Sequence, residues 1–296
     1  MRTVIFNFFV LISFGLFSQN IDLLPTSTTN QVIKHTYYTL SYSEKNEQAE
    51  WVAYKLTKDM TVKKVDRSGS FTPDLSVKTG SATNADYKNS GYDKGHLCPA
   101  ADMSFSETAM KECFYLSNIS PQLPGFNRGI WKSLEELVRE WAIEYNQLYV
   151  VTGPVLKYIS GTIGEDKVSV PKYFYKVLLK YDNKNFTALA FLIPNEKCNN
   201  SLQNYLVTID SVEHITGIDF FPSLPDSIEN RIESKVEAGN WDFSKTSITV
   251  NQKKTDKFDY DKPANEKYKG YQVFIGQKGG KYYINDKGKK VYLKGK

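Results

Sequence analysis

The chain has 296 residues, of which 41% are hydrophobic and 24% charged, and a net charge of +5. That length suits one large domain or two small ones with an ordinary globular composition, and no stretch after residue 20 is apolar enough to span a membrane. The charge is uneven: from Lys267 onward nine lysines accompany one acid, a local +8, whereas residues 21–266 sum to about −4, so bulk basicity is no argument that the body binds a polyanion.

Taken in order, residues 1–19 read as a signal peptide. Arg2 gives a positive start, Val4 to Phe17 is apolar except for Asn7 and Ser13, and polar Ser18-Gln19-Asn20 follows, placing cleavage near residues 18–20. The rival reading is a buried N-terminal helix. With the signal peptide, the product is secreted, to the exterior or the periplasm, as a soluble protein. Tyr37 to Tyr42 and Trp51 to Thr57 are rich in aromatic and branched residues and predict strands. Residues 67–92 are rich in Ser, Thr, Gly, Asp and Asn and predict a long loop, a feature often tied to function.

A short run from Tyr115 to Ser120 precedes Pro121. Ile130, Trp131, Leu134, Leu137, Val138, Trp141 and Tyr145 then recur at three- and four-residue steps, which predicts an amphipathic helix whose apolar side is core. Residues 147–152, 173–181 and 186–193 read as strands, the last two joined across Asp182 to Asn185. Local strand pairing around one long helix argues for an α+β body over residues 20–243. Residues 244–269 lose hydrophobic density and read as a linker. Residues 270–296 read as a small basic module, with strand-like Tyr271 to Ile275, Lys281 to Ile284 and Lys290 to Leu293 separated by glycine and asparagine turns.

Cys98, Cys113 and Cys198 have no metal-ligand spacing. Two of them could pair in an exported protein, or all three are small buried side chains; the sequence leaves both open.

The informative stretch is Asp93-Lys94-Gly95-His96-Leu97-Cys98-Pro99-Ala100-Ala101-Asp102-Met103, then Asn118-Ile119-Ser120-Pro121-Gln122, then Asn127-Arg128-Gly129-Ile130-Trp131 with Glu135 downstream. Together these resemble the DNA/RNA non-specific endonuclease family, the ββα-metal nucleases that include endonuclease G and secreted bacterial nucleases. Arg67 to Asp74 looks like the family's upstream arginine segment and Thr216 to Pro222 like its closing segment, so the resemblance covers roughly residues 37–243. It implies a central, mainly antiparallel sheet flanked by helices, a ββα-metal site, DNA and RNA as substrates, and products with 5′-phosphate and 3′-hydroxyl ends. The family includes dimers, though no homodimer interface is legible here.

The chemistry suits the residue types. A neutral imidazole takes a proton from water near pH 7, so His96 is the expected general base. The resemblance makes Asn127 the single protein ligand of a hydrated Mg²⁺, with Mn²⁺ as a substitute; a cation that keeps most of its waters suits one neutral oxygen. Asparagine also caps helices well, and both roles are expected of Asn127. Glu135 lies roughly 12 Å of helical rise further on, too far for easy shared ligation, and is expected to act through metal-bound water. Arg67 is expected to stabilise transition-state or leaving-group charge, and Asn118 to orient His96 or the phosphate. Lys94 stands where the family usually has Arg, keeping the charge for phosphate binding but losing the two-pronged geometry. His35 and His214 lack such context and read as surface or structural residues.

Two other readings stay open: a secreted nucleic-acid-binding protein whose site has decayed, and a phosphohydrolase of small substrates. The basic tail fits either holding the polyanion near the site or attaching and solubilising the protein.

Overall fold

Strands whose alternate residues serve two buried faces dominate the body. The computed structural model describes residues 22–67, 69–182, 185–245, 262–269, 271–275, 281–284 and 290–293, so the expected signal peptide lies outside the described residues. In chain order the body begins β1 (Val32–Lys34), β2 (Thr39–Ser43), β3 (Gln48–Thr57), α1 (Asn84–Tyr87), β4 (Asp93–His96), α2 (Glu107–Cys113) and β5 (Ile119–Gln122). It continues with α3 (Pro124–Phe126), α4 (Lys132–Tyr145), β6 (Gln147–Pro154), β7 (Ile159–Ile163), β8 (Val168–Pro171), β9 (Tyr173–Asp182), β10 (Asn185–Pro194), β11 (Leu206–Val207), α5 (Ile209–Thr216) and α6 (Asp226–Glu233).

Seven of these strands form one antiparallel sheet in the order β1-β2-β3-β6-β9-β10-β11. Period-2 alternation sorts β9 cleanly: Phe174 and Leu178 join one core with Leu134, Leu137, Val138 and Trp141 of α4, while Tyr175, Val177 and Leu179 join a second core with Ile209, Val212 and Ile215 of α5 and Ile232 of α6. Helices therefore cover both faces, as the α+β expectation required. Both sides of β9 being buried explains why its sequence is a nearly continuous apolar run rather than an alternating one.

The small antiparallel pair β4–β5 stands apart from the main sheet. Gly95 sits where a Cβ would lie 2.1 Å from the Gln122 side chain, so any larger residue here would force that buried side chain to move. The predicted helix starts at Lys132, after a five-residue π-turn (Asn127–Trp131) with non-helical angles at Gly129 (φ −106°, ψ −115°). That kink sets Asn127 off from the axis of α4. Together, β4, β5 and α4 form the ββα unit.

Several elements were not legible: the short helices α2, α5 and α6, and the pair β7–β8. Among the described residues no disulfide joins the cysteines, Cys98 and Cys113 being buried and Cys198 half-buried. His35 is structural, its Nε2 lying 2.9 Å from Asp74 Oδ2 beneath the 67–92 loop. The packed body reaches Phe243, since Trp141 donates from Nε1 to the Asp242 carbonyl at 2.7 Å and Trp241 is buried against Trp141.

The tail forms its own antiparallel sheet of β12 (Lys262–Tyr268), β13 (Tyr271–Ile275), β14 (Lys281–Ile284) and β15 (Lys290–Tyr292). It has four strands rather than the expected three, because β12 arises within the stretch read as a linker. Its polar sequence carries no strand signal; pairing with β13 supplies the order. Tyr271 stacks on Tyr283 (ring centroids 4.9 Å apart). Among the described residues, no helix is long and apolar enough to cross a membrane.

Candidate active site

The ββα unit and the 67–74 loop enclose a cleft of about 360 Å³ lined by Arg67, Lys94, His96, Asn127, Arg128, Lys132, Glu135 and Arg139, with Pro99 to Ala101 as its floor. Five of these side chains are basic and one is a carboxylate. A body of net negative charge therefore concentrates positive potential in one concavity, which is what an anionic substrate needs.

Aromatic contacts build the wall around His96, the last residue of β4. Phe71 lies 5.5 Å from the imidazole, Phe114 meets it edge-on at 5.0 Å, and the Arg67 guanidinium sits 5.4 Å from the Phe114 ring. The loop is thereby pinned across the histidine, and Lys94 caps Phe71 with its ammonium 4.9 Å away. His96 is only 8% exposed, and its Nε2 is buried with no hydrogen-bond partner. Burial, aided by the charge of Arg67, pushes its pKa down to about 3. His96 is therefore neutral at pH 7, and the same burial makes it a weak proton acceptor until a neighbouring negative charge offsets Arg67.

Asn127 lines the cleft from the π-turn. Its Nδ2 donates to Asp93 Oδ2 at 2.9 Å, and no side-chain capping bond forms, so the capping role expected of it is not found. Arg128 clamps the same carboxylate through Nε (2.8 Å) and Nη2 (2.5 Å). Burial pushes the Asp93 carboxyl up, but the hydrogen bonds from Arg128 and Asn127 outweigh it and hold the group below the usual carboxylate range. The ionised Asp93 fixes the amide's nitrogen end, and among the described residues the Asn127 side-chain oxygen has no donor. The amide is thus oriented with its oxygen available to a cation.

Glu135 projects from the first turn of α4 into the same cleft. Burial pushes its carboxyl above the usual range, opposed chiefly by Lys176 on β9. Lys176 is fully buried, donates to Thr152 Oγ1 at 2.5 Å, and lies 4.8 Å over the Trp131 ring. Beside it, Asp102 accepts from Arg139 (2.9 Å) and Tyr54 (2.7 Å) and is fully buried. Removing one partner of such a buried pair costs about 3–5 kcal/mol.

Five of the six residues singled out in the sequence thus meet in one cleft: His96, Arg67, Asn127, Glu135 and Lys94. Asn118 does not line it. Its side chain is completely buried, accepting from the Cys98 amide (2.8 Å) and donating to the Cys98 and Cys113 carbonyls (2.9 and 2.8 Å). It ties the chain just after His96 to the end of α2, which leaves it no group for a phosphate. Lys94 bonds to Asn84 Oδ1. The sequence reading gave no role to Asp93, Arg128, Arg139 or Lys176. The first two were visible inside the motif; Lys176 shows only as a lysine on the core-facing phase of a buried strand.

Comparison with known proteins agrees with this geometry. The family model described as DNA/RNA non-specific endonuclease matches residues 20–227. A protein named Nuclease from Nostoc sp. is 33% identical over 230 residues, covering 72% of this chain and 82% of that one. Human mitochondrial Endonuclease G is 35% identical over 202 residues, covering 63% and 68%. A crystal structure of the EndoG/EndoGI complex contains a chain that superposes with a TM-score of 0.63 at 32% identity, covering 67% of this chain and 88% of that chain.

Proposed function

This chain belongs to the DNA/RNA non-specific endonuclease family, and from that premise we propose that it cuts DNA and RNA with Mg²⁺ held at Asn127 and His96 as general base. Endonuclease activity follows from the family itself; the metal, the residue roles and the compartment are the further reading.

The observation that carries it is a buried, neutral, unpartnered imidazole opening on a cleft with five cations. A polar atom in that state points to a group supplied from outside the chain. The residues also fit a hydrated Mg²⁺. Asn127 offers one oriented neutral oxygen and Glu135 one nearby carboxylate, while among the described residues no group of three or more carboxylate, imidazole or thiol ligands forms in the cleft. When bound, Mg²⁺ supplies positive charge against the phosphate oxygens, with Mn²⁺ able to substitute.

The side chains then divide the work. Arg67 and Lys94 hold the phosphate. A water molecule gives a proton to a ring nitrogen of His96 as its oxygen bonds to phosphorus and the bond from phosphorus to the 3′ oxygen breaks. The 3′ oxygen leaves with the electron pair, stabilised by Arg67, and takes a proton from solvent, which yields 5′-phosphate and 3′-hydroxyl ends. The incoming phosphate lies beside Arg67, offsets its charge, and raises the basicity of His96 at the moment it is needed. Asn118 is a positioning residue, holding the backbone behind His96.

Nicking of supercoiled plasmid by the mature protein in Mg²⁺ tests this. Cleavage that stops in EDTA and in His96→Ala is the expected result; a folded wild type that nicks with no divalent metal would overturn the reading. Secretion is part of the same proposal and rests on the apolar run from Val4 to Phe17. The mass of protein recovered outside the producing cell should lack residues up to about position 19.

A further inference from the structure

The face of the sheet opposite the cleft carries a second group of ionisable residues that the nuclease chemistry does not use. Asp210 and Glu213 lie one helical turn apart on α5, and Glu233 is the last residue of α6. One side-chain oxygen from each of the three lies within 4.8 Å of the others. Among the described residues this is the one such group of potential metal ligands.

An acidic cluster alone says little, since such groups are common on surfaces. This one is different in its burial. Glu233 is 5% exposed, and its Oε1 is buried and accepts no hydrogen bond. Glu213 receives the Phe220 amide at 2.9 Å on one oxygen. The charges acting most strongly on Glu233 are Glu213, Glu229, Asp210 and Asp219, all of them acidic. Burial, reinforced by these neighbours, pushes Glu213 up to about 7 and Glu233 to about 10. A buried, unpaired carboxylate among other carboxylates is costly unless protons or a cation supply the missing positive charge.

Ligand type and number choose between cations. Oxygen ligands sit about 2.3–2.6 Å from Ca²⁺, so two of them lie at most roughly 5 Å apart, a span that contains the observed cluster. Mg²⁺ demands a tighter octahedron, keeps several waters, and is held by about one or two carboxylates rather than three converging ones. We propose that Asp210, Glu213 and Glu233 form a Ca²⁺ site that pins α6 against α5 on the face opposite the cleft. The family match stops at residue 227, before Glu233, so this ligand set is completed by a helix largely outside the matched segment. Helix α6 holds to the sheet through Ile228, Ile232 and a bond from Arg231 to the Phe186 carbonyl (3.1 Å), and one ion bridging the two helices adds a fastening between α6 and α5 at its C-terminal end. The assignment does not rest on the proposed cutting mechanism.

Calorimetric titration of the EDTA-stripped full chain with CaCl₂, and separately with MgCl₂, tests it. An Asn127→Ala background silences the cleft. That protein should bind one Ca²⁺ and melt several degrees higher with Ca²⁺ present. Adding Glu233→Gln should abolish both effects, while its melting temperature in EDTA stays close to the parent's, because without an ion burial already holds that carboxyl protonated and the amide matches it in size. The EDTA melt thus shows that the variant folds. Glu233→Gln alone should nick plasmid in Mg²⁺ at the wild-type rate. Absence of Ca²⁺ binding in the Asn127→Ala protein, or equal binding after Glu233→Gln, would overturn the site and leave protonated carboxyls as the account. Mg²⁺ bound as tightly as Ca²⁺ would overturn the choice of ion.

Discussion

The two faces of the central sheet solve opposite electrostatic problems. On one, the 67–74 loop, β4, the π-turn and α4 gather Arg67, Lys94, Arg128, Lys132 and Arg139 around a histidine that burial and Arg67 keep neutral. On the other, α5 and α6 gather Asp210, Glu213 and Glu233, where burial and like charge hold two of the carboxyls protonated well above their usual range. Both sites leave a buried polar atom without a partner, His96 Nε2 and Glu233 Oε1. The comparison teaches that one apolar scaffold supports a cation-rich cleft on one face and a carboxyl-rich cluster on the other, whose groups stay neutral by holding protons unless a cation takes their place; the proposed guests are a phosphodiester in the cleft and a cation behind it.

The sharpest break of this comparison is at His96. His96→Ala should lower the rate of plasmid nicking by about 10²–10⁴-fold, the usual share of a general base, and lower thermal stability through the gap left between Phe71 and Phe114, so the rate is compared at a temperature where both proteins are folded. If the loss were only a few-fold, the cleft would be a binding surface and not a reaction centre.

Next comes Asp93, which fixes Asn127 through one hydrogen bond and is itself held by Arg128. Asp93→Asn should weaken the Mg²⁺ requirement curve by about 10–100-fold, as is typical when the group orienting a metal ligand is lost. The rate at saturating Mg²⁺ should fall much less. An equal fall at all Mg²⁺ concentrations would mean that Asp93 serves the chemistry and not the ligand's orientation.

The two faces should also part company with pH. His96 has a folded pKa of about 3, below its usual value near 6.5, so the folded state binds fewer protons than the unfolded state in that window. Its contribution to stability is complete above about pH 6.5 and is lost as pH falls toward 3. Glu213 runs the other way: with its pKa raised from 4.5 to about 7, its contribution is present below pH 4.5 and lost as pH rises through 7. Thermal melts in EDTA should show His96→Gln flattening the loss of stability on the acid side and Glu213→Gln flattening the loss of stability as pH rises from 4.5 to 7, each on the order of one to a few kcal/mol. A single variant that flattened both limbs would mean the two faces are coupled.

How far these features could be read in the sequence follows from how local they are. His96, Asn127 and Glu135 were legible because a strand, a turn and one helix carry them in a short ordered segment. The partners that tune them were not. Lys176 acts on Glu135 only because α4 packs on this face of β9, and its phase in the strand is fixed by pairing with β6 and β10. Asn118 was legible as a conspicuous residue but not in its task, since its three bonds go to backbone that folding brings together. Helices α5 and α6 have eight residues each, too few to announce a period, so the acidic cluster they form across the interhelical gap had no signature. In the tail, β12 shows the same limit: its order comes from its neighbour.

The smallest expected effect is at Lys94, where the family usually carries arginine. Its ammonium lies 4.9 Å from the Phe71 ring and bonds to Asn84, and burial lowers its pKa, yet it still lines the cleft near His96. A lysine offers one point charge, whereas arginine can grip two phosphate oxygens at once. Lys94→Arg should therefore tighten the apparent KM for plasmid by a few-fold, about 1 kcal/mol or less, and leave kcat nearly unchanged. The gain should shrink as salt is raised, because screening weakens an exposed charge contact. A change in kcat instead of KM would place residue 94 among the groups that act on the transition state, and would extend the reacting part of the cleft from His96 and Arg67 to the mouth of β4.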